Sequence, residues 1–482
     1  MSTTTHSAAP RGTAGKSTSQ DLPVAVIGAG PVGLAAVARL IERGITPVVL
    51  EAGRRVGANL FDYGHVRLFS PWKYDVDPAM AAMLKSHGWK APAEGELPLA
   101  GEVAEQVLEP FARLPEVAPY LQLETRVLSI TREGFDKVKT LGRERAPFVI
   151  RAIRNGKVFE LRARAVIDSS GTWSMPNPLG SGGLPAIGET ELARSIHYGI
   201  PDVLGAQRQR YVGKRTLVVG AGHSAANSLL ALAELARSEP GTRLVWAVRS
   251  PVLRRVFGGG SSDALPARGQ LGSQLRALRD KGELEFVSGL RISELRRVED
   301  GTLTVDGLDA EGNARSVSGI NEIVCATGQR PDLSLASELR VKLDPWLEST
   351  EALGPLIDPN EHSCGTVRPH GHRELSHPEA GFYTVGVKSY GRAPTFLMAT
   401  GFEQVRSVVA AIAGDPKAAD RVELDLPETG VCGAPAFVNA VSIGGCCGSP
   451  AKAAESALAS SCSTGGCGAS EPAVETTSKC CA

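Results

Sequence analysis

The chain has no excess of charge of either sign, with 52 lysines and arginines set against 52 aspartates and glutamates. Such a balance gives no electrostatic case for nucleic acid or for an anionic membrane surface, and points to small-molecule partners. Long apolar runs are also missing, none approaching the roughly 18 residues of a membrane-spanning helix. Residues 1–20 hold Ser, Thr, Ala and Gly with scattered basic residues and no apolar core, which describes a disordered leader rather than an export signal. The expected location is therefore cytoplasmic. Cysteine is scarce in the body, where only Cys325 and Cys364 precede Cys432. An odd total of nine, without an export signal, argues against a structural disulfide framework. What remains, at 482 residues and 42% apolar, is enough to bury the cores of two or three domains.

Two glycine loops are the most informative features present. Leu22-Pro-Val-Ala-Val-Ile is an apolar strand that runs into Gly28-Ala-Gly30-Pro31-Val-Gly33, followed by a helical stretch and a second strand ending at Glu51. In this G-x-G-x-x-G turn the first glycine permits the tight bend, the second lets a pyrophosphate approach the backbone, and the third allows helix and strand to pack closely. The helix start supplies partial positive charge, and Pro31 suits a first turn whose N–H needs no partner. Glu51 stands where a carboxylate accepts bonds from a ribose diol and repels a 2′-phosphate. The second loop, Gly220-Ala-Gly222-His-Ser224-Ala225, repeats the pattern with Ala for the third Gly, and its next strand leads to Arg249, with Arg254 and Arg255 close by. A cation at that position favours a 2′-phosphate. The pair is read as FAD at the first loop and NADPH at the second.

The expected architecture is α/β, a discontinuous FAD-binding Rossmann-like domain with an inserted NADPH-binding Rossmann-like domain. Residues 21–180 and 326–425 form the first and residues 205–325 the second, followed by a flexible tail over 430–482. Ala165-Val-Ile-Asp168-Ser-Ser-Gly171 is a buried strand with a glycine turn, and prolines 176, 178 and 185 mark a boundary. Ala326-Thr327-Gly328 closes the inserted unit, and Gly381-Phe-Tyr-Thr-Val-Gly386 returns to the first, ahead of a helical stretch from about Thr400 to Ala413. Thr327, Gly328 and Gly386 join the loop residues as candidate cofactor contacts.

On these motifs residues 22–415 resemble the two-dinucleotide-binding flavoproteins, and within them the flavin-containing monooxygenases. Val66-Arg-Leu-Phe-Ser70-Pro71 is similar to the segment those enzymes place over the flavin. His362-Ser-Cys364-Gly-Thr-Val and Lys388-Ser-Tyr-Gly-Arg-Ala-Pro-Thr-Phe-Leu resemble a narrower branch, the ArsO-like monooxygenases associated with bacterial arsenic resistance. The linker fingerprint of the monooxygenases, F-x-G-x-x-x-H, is degenerate here, since Arg194-Ser-Ile-His197-Tyr198 keeps only the His and an aromatic. Val387 stands where disulfide reductases place a carboxylate, and no C-x-x-C or C-x-x-x-x-C adjoins either loop. A thioredoxin reductase mechanism needs such a dithiol to take electrons from the flavin.

The resemblance implies NADPH reduction of FAD, formation of a flavin hydroperoxide from dioxygen, and attack on it by a soft nucleophilic small molecule, a trivalent arsenical being one such substrate. The flavin then carries the chemistry and no catalytic triad is needed. Ser70, Trp72, Lys73 and Cys364 are candidates for its surroundings, with Trp72 and Tyr74 equally readable as packing residues. The alternative is an NADPH-dependent flavoprotein reductase of a thiol-bound metal or metalloid. For that the tail matters, because Cys432, Cys446, Cys447, Cys462, Cys467, Cys480 and Cys481 lie among Gly, Ser, Ala and Thr. The pairs Cys446 with Cys447 and Cys480 with Cys481 suit a soft ion such as a metalloid; incidental thiols in a low-complexity extension are the competing account. His362, Cys364, His370, His372 and His377 form a further cluster, whose spacing matches no standard zinc pattern and favours a polar loop at the active site over a metal. A homodimer is compatible with the sequence.

Overall fold

The computed structural model describes residues 21–424 apart from 252–256, 258–262, 264, 362–366 and 395. Two five-stranded sheets, all parallel, organise these residues. In the first, spatial order runs Phe382–Thr384, Ala165–Asp168, Val24–Ile27, Pro47–Leu50 and Leu121–Gln122. In the second it runs Glu285–Val287, Arg243–Ala247, Arg215–Val219, Glu322–Cys325 and Ile196–Tyr198. The second sheet is made wholly of chain lying between two adjacent strands of the first, Ala165–Asp168 and Phe382–Thr384. It also begins earlier than residue 205, because Ile196–Tyr198 pairs with Glu322–Cys325 at its edge.

The central strands Val24–Ile27 and Ala165–Asp168 are buried throughout, as parallel strands covered on both faces must be. Helix Pro31–Glu42 buries Val32, Leu34, Val37 and Leu40 against this sheet. Truncating one such leucine to Ala costs about 2–5 kcal/mol through the cavity it leaves. On the same lobe lies helix Met398–Ile412, whose residues 400–410 are all buried. Such burial demands that its polar side chains be paired: Arg406 meets Glu403 at 2.7 Å, and Gln404 bonds Gly386, Ser389 and His370.

Each lobe carries a three-stranded antiparallel sheet, Thr125–Arg132, Phe148–Arg154 and Lys157–Ala163 on the first and Arg291–Arg297, Leu303–Leu308 and Ala314–Ile320 on the second. Residues 100–112 form an irregular helical segment, with a π-helical turn over Ala104–Leu108 ahead of Pro110. Proline lacks the N–H that an α-helical ladder would use there.

The chain crosses between the sheets twice, and Asn177 stitches the crossings together. Its N–H donates to the Gly328 carbonyl at 2.9 Å and its amide to the Thr327 carbonyl at 3.2 Å. Its own carbonyl accepts from Thr327 Oγ1 at 2.9 Å, and its side-chain oxygen accepts from Arg330 at 3.0 Å.

Candidate active site

At the carboxyl end of the first sheet the glycine loop has the shape its sequence promises. Gly28 adopts φ +95°, and a Cβ there would press on the Ser169 carbonyl at 2.9 Å. A Cβ on Gly33 would collide with the Gly28 carbonyl, so helix and strand touch through that glycine. Gly30 differs, since a Cβ on it would meet nothing within 4 Å. It lies at the start of helix Pro31–Glu42 with Pro31 in the first turn, so the open space faces unsatisfied N–H groups. That combination of a vacant approach and a helix N-terminus fits a diphosphate. Glu51 follows the second strand directly, and its carboxylate accepts from the N–H groups of Ala29 and Gly53, both at 2.6 Å. A ribose hydroxyl can bond the same carboxylate.

The second loop repeats this geometry. A Cβ on Gly220 would strike the Ala326 carbonyl, whereas one on Gly222 would meet nothing within 4 Å. Gly222 caps helix His223–Ser238, in which Ala225 is buried and Ser224 lies in the first turn. Trp246 Nε1 donates to the Gly220 carbonyl at 2.8 Å and fixes the turn from the neighbouring strand. Arg249 lies just past that strand, exposed, with Nη1 donating to the Ser181 carbonyl at 3.0 Å. Arg254 and Arg255 are outside the described residues.

The segment over the cleft touches both lobes. Phe69 lies 5.1 Å from the His223 ring at the head of the second loop's helix. Ser70 is buried and donates to Asp75 Oδ1 at 2.7 Å. The other carboxylate oxygen of Asp75 is buried without a partner, and burial pushes this carboxyl up to about 7 although the Ser70 bond opposes the rise. Tyr63 is raised by its own burial and by the nearby Asp75 and Asp62 carboxylates. Its ring lies 4.8 Å from Trp173, whose Nε1 donates to Asp62 at 2.7 Å. Trp72 belongs to the apolar core of the first lobe, and Lys73 is exposed with its ammonium 4.7 Å from the Tyr74 ring. The packing account of Trp72 matches this position, because indole buried among Leu and Ala side chains contributes area rather than chemistry.

Three histidines of the 362–377 cluster and one of the two body thiols lie within the described residues. His370 shares a 3.0 Å contact with Gln404, His372 one of 3.3 Å with Ser407, and His377 stacks against Phe382 at 5.7 Å. These three histidines are thus anchored separately, and no group of three potential metal ligands occurs among the described residues. Cys364, His362 and the tail cysteines Cys446, Cys447, Cys480 and Cys481 lie outside the described residues. Cys325 is buried, its thiol directed at the Asn177 carbonyl at 3.5 Å and at Thr327 Oγ1, and burial pushes it up to about 11. Thr327 and Gly328 sit in the seam with Asn177, while Gly386 abuts Val32 at the start of the first loop's helix.

Sequence reading did not find Asn177 or Asp75, nor the pairing of Asp168 with Lys388. Asp168 and Lys388 form a buried ion pair at 2.7 Å across 220 residues of sequence. No local pattern marks a contact of that span.

Two parallel sheets, each presenting an open glycine loop at a helix start and joined by a double crossover, define an oxidoreductase that takes two dinucleotides. A family model described as pyridine nucleotide-disulphide oxidoreductase matches residues 25–363, and the chain belongs to that family. It is a pyridine-nucleotide-dependent oxidoreductase. No curated protein matches the sequence. Among solved structures it is similar to the bacillithiol disulfide reductase of Bacillus cereus, at 19% identity and TM-score 0.58, over 82% of this chain and 99% of that one. It is similar also to the FAD-bound cadaverine monooxygenase of Erwinia amylovora, at 15% identity and TM-score 0.58, over 84% and 97%. A third is the ornithine N-hydroxylase of Kutzneria sp. 744 with reduced FAD, NADP+ and L-ornithine, at 15% identity and TM-score 0.54, over 82% and 99%. Likeness at these identities speaks for the fold.

Proposed function

We propose that this oxidoreductase is a flavin monooxygenase acting on a soft nucleophilic small molecule, with a trivalent arsenical as the specific substrate to test. Cys325 carries the choice between oxygenation and disulfide reduction. Apart from Cys364 it is the only thiol before residue 432, and it is buried, held in its protonated form and bonded to the interlobe seam. A disulfide reductase needs an accessible thiolate with a second sulfur in reach.

In this reading Gly28, Gly30, Pro31, Gly33 and Glu51 hold FAD, with Gly386 against the same helix start. Gly220, Gly222, Ser224, Ala225 and Arg249 hold NADPH. Thr327 and Gly328 act through Asn177, fixing the separation of the two loops. Bound FAD supplies two-electron redox chemistry and reaction with dioxygen. The residues of the chain bind, orient and exclude water: Phe69 against His223 closes one side, and Tyr63 with Trp173 closes another. Ser70 is buried in the same segment, its hydroxyl donating to Asp75.

The rival reading, reduction of a thiol-bound metal or metalloid with the cysteine tail as carrier, draws on the sequence of that tail. Oxidation of NADPH by the purified protein, with and without dioxygen and with arsenite or an organic sulfide, separates them. Oxygenation requires a substrate-stimulated aerobic rate and a product that acquires label from 18O2. Sustained reduction of a disulfide or of a thiol-bound metalloid in the absence of oxygen, at rates matching the aerobic ones, overturns it.

A further inference from the structure

The buried pair Asp168 and Lys388 lies beside the first glycine loop. Asp168 ends its strand in lateral register with Ile27, the residue before Gly28. The next two residues wall the turn: Ser169 Oγ donates to the carbonyls of Ile27 at 2.8 Å and Gly28 at 3.1 Å, and a Cβ on Gly28 would meet Ser170 Cα at 3.0 Å. Lys388 reaches this wall from the short helical turn Gly386–Tyr390, which Gln404 holds by accepting from the Gly386 N–H at 2.7 Å. Its ammonium donates to Asp168 Oδ2 at 2.7 Å and to Ser170 Oγ at 2.9 Å. Asp168 Oδ1 accepts from the Ser170 hydroxyl at 2.6 Å and from its N–H at 3.1 Å. Both charged side chains are only 2% exposed. The charge of Lys388 extends also to Asp332.

A carboxylate at this place is a poor neighbour for a diphosphate, because like charges repel strongly where water is excluded. We propose that Lys388 is a positioning residue for FAD, the counter-charge that cancels Asp168 and makes the wall of the loop acceptable to a dinucleotide diphosphate. Two of the three ammonium donors of Lys388 are engaged by Asp168 and Ser170, leaving capacity for a further acceptor. The inference rests on the assignment of the first loop to FAD.

The competing role is a mechanical clasp between the strand before the insertion and the turn after it, and the two roles differ in sign. Full-length protein is stripped of FAD and titrated with FAD by flavin fluorescence, with thermal melts of each variant before and after addition. Lys388→Met exposes the loop to an uncompensated Asp168 and is expected to weaken FAD binding at least ten-fold. Asp168→Asn leaves the cation and is expected to bind FAD as tightly as wild type or more tightly, with a larger FAD-induced rise in Tm. The double variant returns to within about three-fold of wild type, since only the charge imbalance is penalised.

Weakening by both single variants, with no recovery in the double variant, overturns the proposal in favour of the clasp. Should Lys388→Met fail to fold, Asp168→Asn decides alone: weakened FAD binding overturns the proposal, and retained or tighter binding with the enlarged Tm rise supports it. Gly30→Val is the control for the underlying assignment, because its side chain fills the open approach to the loop. Normal FAD binding by a folded Gly30→Val protein removes the FAD assignment itself. Loss of FAD there, with wild-type affinity in Lys388→Met, removes only the role given to Lys388.

Discussion

Arg249 and Glu51 occupy corresponding places after the second strands of the two glycine-loop units and carry opposite charge, so the choice of dinucleotide is a residue-scale matter. Arg249 rests on the Ser181 carbonyl and is otherwise exposed, free to turn toward a phosphate. Losing one charge-assisted bond of about 1.5–3 kcal/mol lowers kcat/KM for NADPH by roughly ten- to hundred-fold in Arg249→Ala, while NADH use stays nearly constant. Steady-state kinetics with both nucleotides measure this directly. Equal losses for the two would assign Arg249 to the surface.

Asp75 gives a second residue-scale prediction, one of pH. Its folded carboxyl titrates near 7 against an ordinary 3.8, so the folded state holds a proton that the unfolded state has released. Stability therefore falls as pH rises from about 4 through 7, by on the order of 4 kcal/mol when titration is complete. Asp75→Asn keeps the acceptor for Ser70 and removes the titration. Thermal melts between pH 5 and 8 are expected to show a decline in wild type that is much smaller in Asp75→Asn, and identical slopes would disprove the assignment.

Among the elements, the antiparallel sheet of the first lobe is fastened to the returning chain by one carboxylate. Glu379 accepts from Arg132 Nε at 2.8 Å and from Arg143 Nη2 at 2.8 Å, with all three side chains no more than 4% exposed. Burial opposes the charge of Glu379, and the bonds from Arg143, the Arg340 N–H and Arg132 outweigh it, holding the carboxyl below the ordinary range. Arg132 also lies over the Phe148 ring at 3.7 Å. Glu379→Gln leaves two buried cations without their counter-charge, and a loss of about 3–5 kcal/mol is expected by chemical denaturation. The stabilisation by Glu379 is present above the ordinary glutamate range and fades as pH falls through its depressed value. Strands Thr125–Arg132 and Phe148–Arg154 of this sheet alternate buried with more exposed residues, a period that local sequence can carry. Its fastening was not legible, because Arg132 and Glu379 lie 247 positions apart.

For the molecule as a whole, the apolar cores and both glycine loops lie within residues 21–424. Truncation after Gly430 is expected to leave FAD content, melting temperature and maximal NADPH oxidation within experimental error of wild type. If the tail cysteines deliver a soft substrate, the truncated protein requires a higher substrate concentration for half-maximal rate, because a linked site raises local concentration to the millimolar range. Unchanged kinetics at limiting arsenite would make the tail thiols incidental. Among the described residues, no helix is long and apolar enough to cross a membrane.

The sequence by itself determined the two glycine loops, the charge after each second strand, the insertion of one α/β unit in another and the scarcity of thiols in the body. These are local signals, written in a few neighbouring residues whose backbone demands are fixed by sterics, as at Gly28 and Gly220. Only the tertiary structure decided that Cys325 is a buried thiol of the seam, that Asn177 joins the crossings, that Trp72 packs in the core, and that three histidines close in sequence hold separate partners. It also decided that Lys388 meets Asp168 beside the first loop. Contacts between residues hundreds of positions apart depend on how sheets stack and where the chain returns. Burial then determines which of those charges must be paired.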